Sequence, residues 1–199
     1  MEPAAPFDKL YRYLPAALSG NEAFWNDLIG GAQVIPVNKG DYLFRQGEIC
    51  SSGYFINKGL FLHLYVNGRG SESVVGFFVD TLHPFLSSVS YISHSPSDFE
   101  IKALEDGELI AFPRPHIETL SRRYPAFATF YQEVTLLMLA KICTIYAVRQ
   151  SNGSEELLRY LYTEYLWIIN RVPDKYIARF MGISNEWYCK LKKKLFAAL

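Results

Sequence analysis

Four histidines and three cysteines are the side chains with which this chain could bind a metal or attack a substrate. A metal oxygenase built on a rolled sheet needs clustered histidines on neighbouring strands. His63 stands alone in its apolar stretch, His83, His94 and His116 fall in or near expected loops, and none forms an HxH pair. Cys50, Cys143 and Cys189 share no close spacing, which speaks against a disulfide scaffold, a zinc finger or a cysteine-ligated iron–sulfur cluster. Cys50 lies beside Ser51 and Ser52 with no partner base indicated. Ser87-Ser88 is no nucleophile elbow for Asp80 and His83 to serve. The expectation is a protein that is not an enzyme and holds no metal.

The C-terminal end offers a different chemistry. Twenty basic and twenty acidic side chains cancel over 199 residues, yet between Arg171 and Leu199 seven Lys or Arg stand against two acids. An acidic body with a basic end points to a polyanion-binding module or to a solvated helical end. Within it, Asn185, Glu186, Cys189 and Lys190 are spaced to lie on the outward side of one helix, with Lys192, Lys193 and Lys194 behind them. Amide and carboxylate groups can read base edges, and lysines seek phosphate. The residues just before them describe the scaffold this requires. Pro173 suits a first helical position, Ile177, Phe180 and Met181 form a buried face, and Ala178 is small where a second helix must cross closely. Gly182 can adopt the left-handed conformation that closes the first helix. Ser184 is expected to cap the second, whose Tyr188, Leu191 and Leu195 point inward. Two short helices with a tight glycine turn make a helix-turn-helix, or an ordinary αα-corner. The expected DNA-contacting residues are Lys175, Arg179, Ser184, Asn185 and Glu186, with Trp187, Lys190, Lys192 and Lys193. An exposed Trp187 also suits protein contact, so a ligand-binding or protein-interaction module without specific DNA binding stands as the alternative.

Upstream, a chain that is 50% hydrophobic and 16% aromatic is too apolar for disorder and can fill a core. The first thirty residues read as helical and end at Gly30-Gly31. From Ala32 to Phe112 the period becomes two. Leu60, Leu62, Leu64 and Val66 alternate with Phe61, His63 and Tyr65, a strand with both faces largely buried. Asn38-Lys39-Gly40, Asn57-Lys58-Gly59 and Asn67-Gly68 supply hairpin turns, favouring an antiparallel sandwich or barrel. A Ser- and Pro-rich excursion between Leu82 and Pro96 is a plausible ligand loop. After Pro115 the period is helical: a short helix runs from about His116 to Arg123, and a long one from about Ala126 to Arg149. The second half of the long helix is apolar nearly all round, so the body can cover one face and a two-fold copy the other. A central helix of one larger core is the alternative. Val134, Leu137, Met138, Ile142 and Ile145 are the expected dimer contacts. Ser154 reads as the N-cap of the next helix. Met1–Leu14 has no signal-peptide h-region, and Val134–Val148 is fifteen residues with Lys141 inside, short of the roughly 20 a membrane span needs. A cytoplasmic protein with no membrane partner is expected.

The order of rolled sheet, long helix and C-terminal helix-turn-helix resembles the Crp/Fnr superfamily of bacterial transcription regulators, over nearly the whole chain. Lys39-Gly40-Asp41-Tyr42-Leu43-Phe44-Arg45-Gln46-Gly47-Glu48 is similar to that family's opening strand pair. Gly53-Tyr54-Phe55-Ile56-Asn57-Lys58-Gly59 resembles the next strand and turn. Ala103-Leu104-Glu105-Asp106 with Glu108-Leu109 matches the last roll strands, and Val172-Pro173 to Leu195 is the strongest match. The resemblance implies an α+β chain: a sensor β-roll of the cyclic-nucleotide-binding type with its N-terminal helix over 1–125, a dimerisation helix over 126–150, and an all-α helix-turn-helix domain over 151–199. It implies a homodimer on a palindromic site in double-stranded DNA, working with RNA polymerase. The family's three base-reading positions fall on Asn185, Glu186 and Lys190, and only the glutamate is retained. The helix before Val172-Pro173 leaves no room for the β-hairpin wing that many members carry.

Cyclic-AMP-binding members hold the ribose and phosphate with a Gly-Glu segment and a following Arg. Here the segment reads Phe77-Phe78-Val79-Asp80-Thr81-Leu82-His83-Pro84-Phe85-Leu86, and the basic position falls near Ser97-Asp98. A buried phosphate facing Asp98 instead of Arg loses charge-assisted hydrogen bonds and gains repulsion. No cyclic nucleotide or other cofactor is therefore expected. An unknown small-molecule effector, or none, would occupy a pocket drawn from Phe77, Thr81, His83, Phe85, Ser97 and Asp98.

Overall fold

The structure is a computed structural model that describes residues 5–82 and 84–197. Three short helices open it: α1 (Asp8–Tyr13), α2 (Ala16–Ser19) and α3 (Glu22–Gly30). Eight strands follow as β1 (Gln33–Val37), β2 (Tyr42–Phe44), β3 (Ser52–Lys58), β4 (Leu60–Val66), β5 (Glu72–Val79), β6 (Phe85–Leu86), β7 (Phe99–Ala103) and β8 (Gly107–Pro113), with α4 (Val89–Ser93) between β6 and β7. They form two four-stranded sheets, β1-β8-β3-β6 and β2-β7-β4-β5. The pairs of β1 and of β3 with β8, of β3 with β6 and of β2 with β7 are antiparallel. The Ser- and Pro-rich excursion is thus structured: it holds β6 and α4.

Consecutive residues of β3 show why this stretch carries so few polar positions. Ile56 enters the core between the sheets with Phe44, Phe61, Leu86, Ile101 and Leu109. Phe55 faces the opposite way, into a second core with Phe24, Trp25, Leu28, Ile110, Phe112 and Phe127 supplied largely by helices. Both side chains are fully buried. Each such side chain contributes about 1.5–3 kcal/mol relative to exposure. Gly107, where β8 begins, lies so close to β3 that a Cβ there would collide with the Lys58 carbonyl oxygen.

Six helices complete the described residues: α5 (Arg114–Arg123), α6 (Pro125–Ser151), α7 (Ser154–Glu164), α8 (Leu166–Arg171), α9 (Asp174–Met181) and α10 (Asn185–Ala197). Ser154 is the first residue of α7 and not its cap. That place belongs to Gly153, whose N–H donates to the Glu156 carboxylate at 3.2 Å. Pro173 likewise stands one residue before the first turn of α9. Residues group into two compact units, Met1–His63 with Phe77–Leu137, and Leu64–Gly76 with Met138–Leu199. The second unit therefore contains the tip of the β4–β5 hairpin as well as α7 to α10.

Helix α6 is 27 residues long with an 18-residue window of mean hydropathy 1.2, enough by length and composition to cross a membrane. The helical run extends beyond the fifteen-residue apolar stretch Val134–Val148, and the core helix of a soluble protein meets the same criterion. Its exposure repeats at three and four residues. Tyr131, Val134, Met138, Lys141, Ile145 and Val148 are half-buried, while Leu136, Leu139, Cys143 and Tyr146 are exposed along the opposite side.

Candidate nucleic-acid interface and sensor site

Helices α9 and α10 cross over a shared apolar floor of Ile177, Ala178, Phe180 and Met181 against Tyr188, Leu191 and Leu195, all buried. The turn between them is built by the backbone. Gly182 sits at φ 72°, its N–H donates to the Arg179 carbonyl at 3.1 Å, and the Ile183 N–H donates to Ala178 at 3.0 Å. A Cβ at Gly182 would also lie 3.2 Å from the Arg149 guanidinium. Only glycine satisfies both demands without strain.

The start of α10 is held by a small polar network. The Ser184 hydroxyl oxygen accepts the Trp187 N–H at 3.1 Å, the N-cap bond that satisfies an otherwise orphaned donor. The Glu186 carboxyl is held below the usual carboxylate range by its own backbone N–H, then by the Ser184 hydroxyl, and then by Lys190. An ionised carboxylate there is acceptor-only, suited to a donor such as the cytosine amino group. Asn185, Glu186, Trp187 and Lys190 are exposed on one side of the helix's first turns, Trp187 at 47%. Cys189 is half-buried behind them.

The expected cations separate into two groups. Lys175, Lys190 and Lys193 are exposed. Lys192 is paired with Asp174 at 2.7 Å and Arg179 with Glu72 at 3.1 Å, while Lys194 reaches Glu155 at 2.6 Å. Sequence reasoning missed these carboxylates because Glu72 and Glu155 lie 107 and 39 residues from their partners.

The five expected pocket residues that are described do not converge. His83 lies outside the described residues. Phe85 packs against Phe55 at 5.4 Å, Tyr13 at 5.3 Å and Phe130 at 6.1 Å, on the helix-covered side of its sheet. Its neighbour Leu86 faces the roll interior instead, because successive strand residues point to opposite faces. Ser97 is buried and spent: its hydroxyl donates to the Phe99 carbonyl and accepts the Phe99 N–H, and its N–H donates to Glu48. Asp98 and Thr81 are exposed, and Phe77 is half-buried on β5. His63 places a polar ring between those of Phe78 at 5.5 Å and Phe99 at 4.8 Å. Burial pulls its pKa down to about 4, so the ring is neutral, and its Nε2 meets no partner among the described residues. A lone His between apolar residues was the available signal.

Helix α4 is tied to its surroundings at Tyr91. The Tyr91 carbonyl accepts from Arg114 at 3.1 Å, and its side chain hydrogen-bonds Tyr131 of α6. Cys50 is buried with its thiol pushed up by desolvation, the opposite of what a nucleophile needs.

The profile of the cyclic nucleotide-binding domain family matches residues 34–124, the span from β1 to the end of α5. The transcriptional activator protein Anr of Pseudomonas protegens is 29% identical over 90 residues, which is 45% of this chain and 36% of Anr. FixK2 of Bradyrhizobium japonicum superposes with a TM-score of 0.69 at 12% identity, covering 84% of this chain and 85% of FixK2. A transcriptional regulator assigned to the Crp/Fnr family from Eubacterium rectale gives 0.70 at 14% identity, covering 94% and 88%. The chain has the Crp/Fnr fold. Within the Crp/Fnr frame, α6 occupies the place of the long helix after the roll, and α9 and α10 are the C-terminal helix pair. No strand interrupts the described residues between α8 and α9, where Val172 and Pro173 form the whole link.

Proposed function

We propose that this chain is a dimeric, sequence-specific DNA-binding regulator of transcription. The observation that carries the reading is the first turn of α10. Ser184 fixes the helix start, Asn185 and ionised Glu186 stand exposed at its front, and Lys190 follows one turn later. A recognition helix reads base edges from its N-terminal turns while cations around it neutralise phosphate. Lys175 and Lys193 are the exposed cations for that second task. The naming of Anr as a transcriptional activator supports the regulatory role, with RNA polymerase as the further partner.

The dimer would form along α6. Its solvent-facing residues Leu136, Leu139, Cys143 and Tyr146 alternate at three and four residues, the seam of a left-handed coiled coil with a copy of itself. This shifts the expected contact set: Val134, Met138 and Ile145 belong to the half-buried stripe, Ile142 flanks the seam, and Leu137 is exposed away from it. A partner helix on this seam also accounts for apolar surface that would otherwise face water.

The residues present do not fit a cyclic phosphate. Phe85 and Leu86 bring aromatic and aliphatic groups, the Ser97 hydroxyl has already spent its one donor and has none for a phosphate oxygen, and Asp98 adds negative charge. The roll is read as sensing an uncharged effector or none. Calorimetry with cyclic AMP should show no binding, and a micromolar dissociation constant would overturn this part.

A second reading, a protein-interaction module, is favoured by the half-exposed Trp187 and by the carboxylates already on Arg179 and Lys192. Selection of genomic fragments on the purified protein decides between them. The DNA reading expects an enriched palindrome with half-sites roughly 34 Å apart. Retention without any sequence preference, unaffected by Asn185→Ala or Glu186→Ala, favours the interaction module.

A further inference from the structure

The tip of the β4–β5 hairpin is closed by its own hydrogen bonds. The Asn67 side-chain oxygen accepts the N–H groups of Arg69 at 2.9 Å and Ser71 at 3.1 Å, and the Gly70 N–H donates to the Asn67 carbonyl at 2.8 Å. The Asn67 N–H in turn donates to Ser71 at 3.0 Å, closing the loop, with Gly70 at φ 75°. Glu72 is the first residue after that closure, so its carboxylate stands directly beside the hydrogen-bonded turn. It meets Arg179, on the helix that precedes the recognition turn, at 3.1 Å. Hairpin tip and C-terminal helices belong to one compact unit.

The origin of this partner sets the pair apart. Lys192 and Lys194 are held by Asp174 and Glu155, which belong to the C-terminal helices themselves. The partner of Arg179 comes from β5, a strand of the sheet that also contains β7 and β4. A guanidinium that binds a carboxylate has the same fork of donors for a phosphate, and it cannot give the full fork to both.

We propose that Glu72 masks Arg179 from DNA phosphate, making the β4–β5 hairpin a brake on DNA binding. The inference rests on the DNA-binding reading above. The pair is half-exposed on both sides. Exposed pairs of this kind are weak, so the brake is one that DNA can displace, and its release should be felt as about two- to fivefold in affinity per subunit. Salt weakens the brake and the phosphate contact together. Because β5 runs unbroken from Glu72 to Val79, a shift of that strand is a direct way to disengage the carboxylate.

The test is a set of three variants of the full chain, Glu72→Gln, Arg179→Gln and the double, titrated onto the selected duplex at two salt concentrations. Glu72→Gln should tighten binding about two- to fivefold per subunit. Arg179→Gln should weaken it, and the double variant should match Arg179→Gln alone. A Glu72→Gln variant that binds like the parent overturns the proposal. So does a gain that survives in the Arg179→Gln background, since it would then come from general loss of negative charge. Hydrogen exchange of residues 65–73 without DNA separates the two levels of the argument. Either single variant should speed it alike, and unchanged exchange removes the contact itself. A parent that binds no duplex while the exchange responds removes the DNA reading, and the masking role with it.

Discussion

Replacing Leu139 by glutamate should separate the subunits. Leu139 is 55% exposed in the single chain and lies in the middle of the Leu136–Tyr146 seam. Fully burying a leucine side chain contributes about 1.5–3 kcal/mol, so covering the exposed half contributes about 1 kcal/mol. Two-fold symmetry counts the position twice, giving about 2 kcal/mol per dimer. Leu139→Ala should therefore raise the dimer dissociation constant about 30-fold. Leu139→Glu should do more, because each carboxylate must also be desolvated or must pry the seam open. The control is Thr144→Glu: Thr144 is exposed on α6, off the seam, with its hydroxyl bonded back to Ala140 at 3.0 Å. Leu137→Glu serves as a second control, since Leu137 is equally exposed at 56% but lies off the seam, one heptad before Thr144. Sedimentation velocity over a concentration series reads the constants. The seam is wrong if Leu139→Glu behaves like Thr144→Glu, or if Leu137→Glu is the more damaging change.

In an in-register parallel pair, Cys143 faces Cys143 of the partner subunit within disulfide reach. Mild oxidation should give a covalent dimer on a non-reducing gel that Cys143→Ser abolishes and Cys189→Ser leaves intact. Lys193→Gln should weaken binding to all duplexes alike and flatten the salt dependence by about 0.9 log units per lost phosphate contact. Glu186→Gln should instead change the preferred base pair, at about 1–3 kcal/mol; the reverse pattern would contradict the assignment of roles. His63 should make the roll acid-sensitive. The unfolded chain takes up its proton near pH 6.5 and the folded chain only near pH 4, so stability is full above 6.5 and falls as pH drops toward 4. The loss should approach about 3 kcal/mol. Urea unfolding of His63→Phe across that window should lose this slope, and an unchanged profile would refute burial of the neutral ring.

Local signals carried the C-terminal helices almost completely. The turn at Gly182, the cap at Ser184 and the inward spacing of Tyr188, Leu191 and Leu195 follow from residues close in the chain, and a sequence displays such relations directly; the approach of Arg149 to Gly182 it does not. Alternation in β4 likewise announced a strand buried on both faces. The sensor site was less legible. Whether Phe85 or Leu86 faces the roll interior depends on the register of a two-residue strand against β3, and a one-residue slip exchanges them. The carboxylates that hold Arg179 and Lys192 were invisible for a related reason: charge counts show how many acids exist, and only the fold shows which of them arrive. Helix α6 combined both situations. Its apolar character was plain, but which apolar side is covered by the chain's own residues could not be read from a helix oily all round.

These features bear on one another through the number of phosphates a binding event neutralises. A dimer that places two α10 helices on successive major grooves doubles the contacts of one subunit, and with them the salt slope. A seam variant therefore has two expected signatures. At protein concentrations above its raised dissociation constant it should bind with the parent's slope. Below that constant, single subunits should bind with about half of it. Release of Arg179 from Glu72 acts differently, since it changes the affinity of each half-site and leaves the subunit equilibrium alone. The concentration dependence of the slope thus distinguishes a protein weakened in its seam from one altered at its DNA-facing helices, even where both show the same apparent affinity at a single condition.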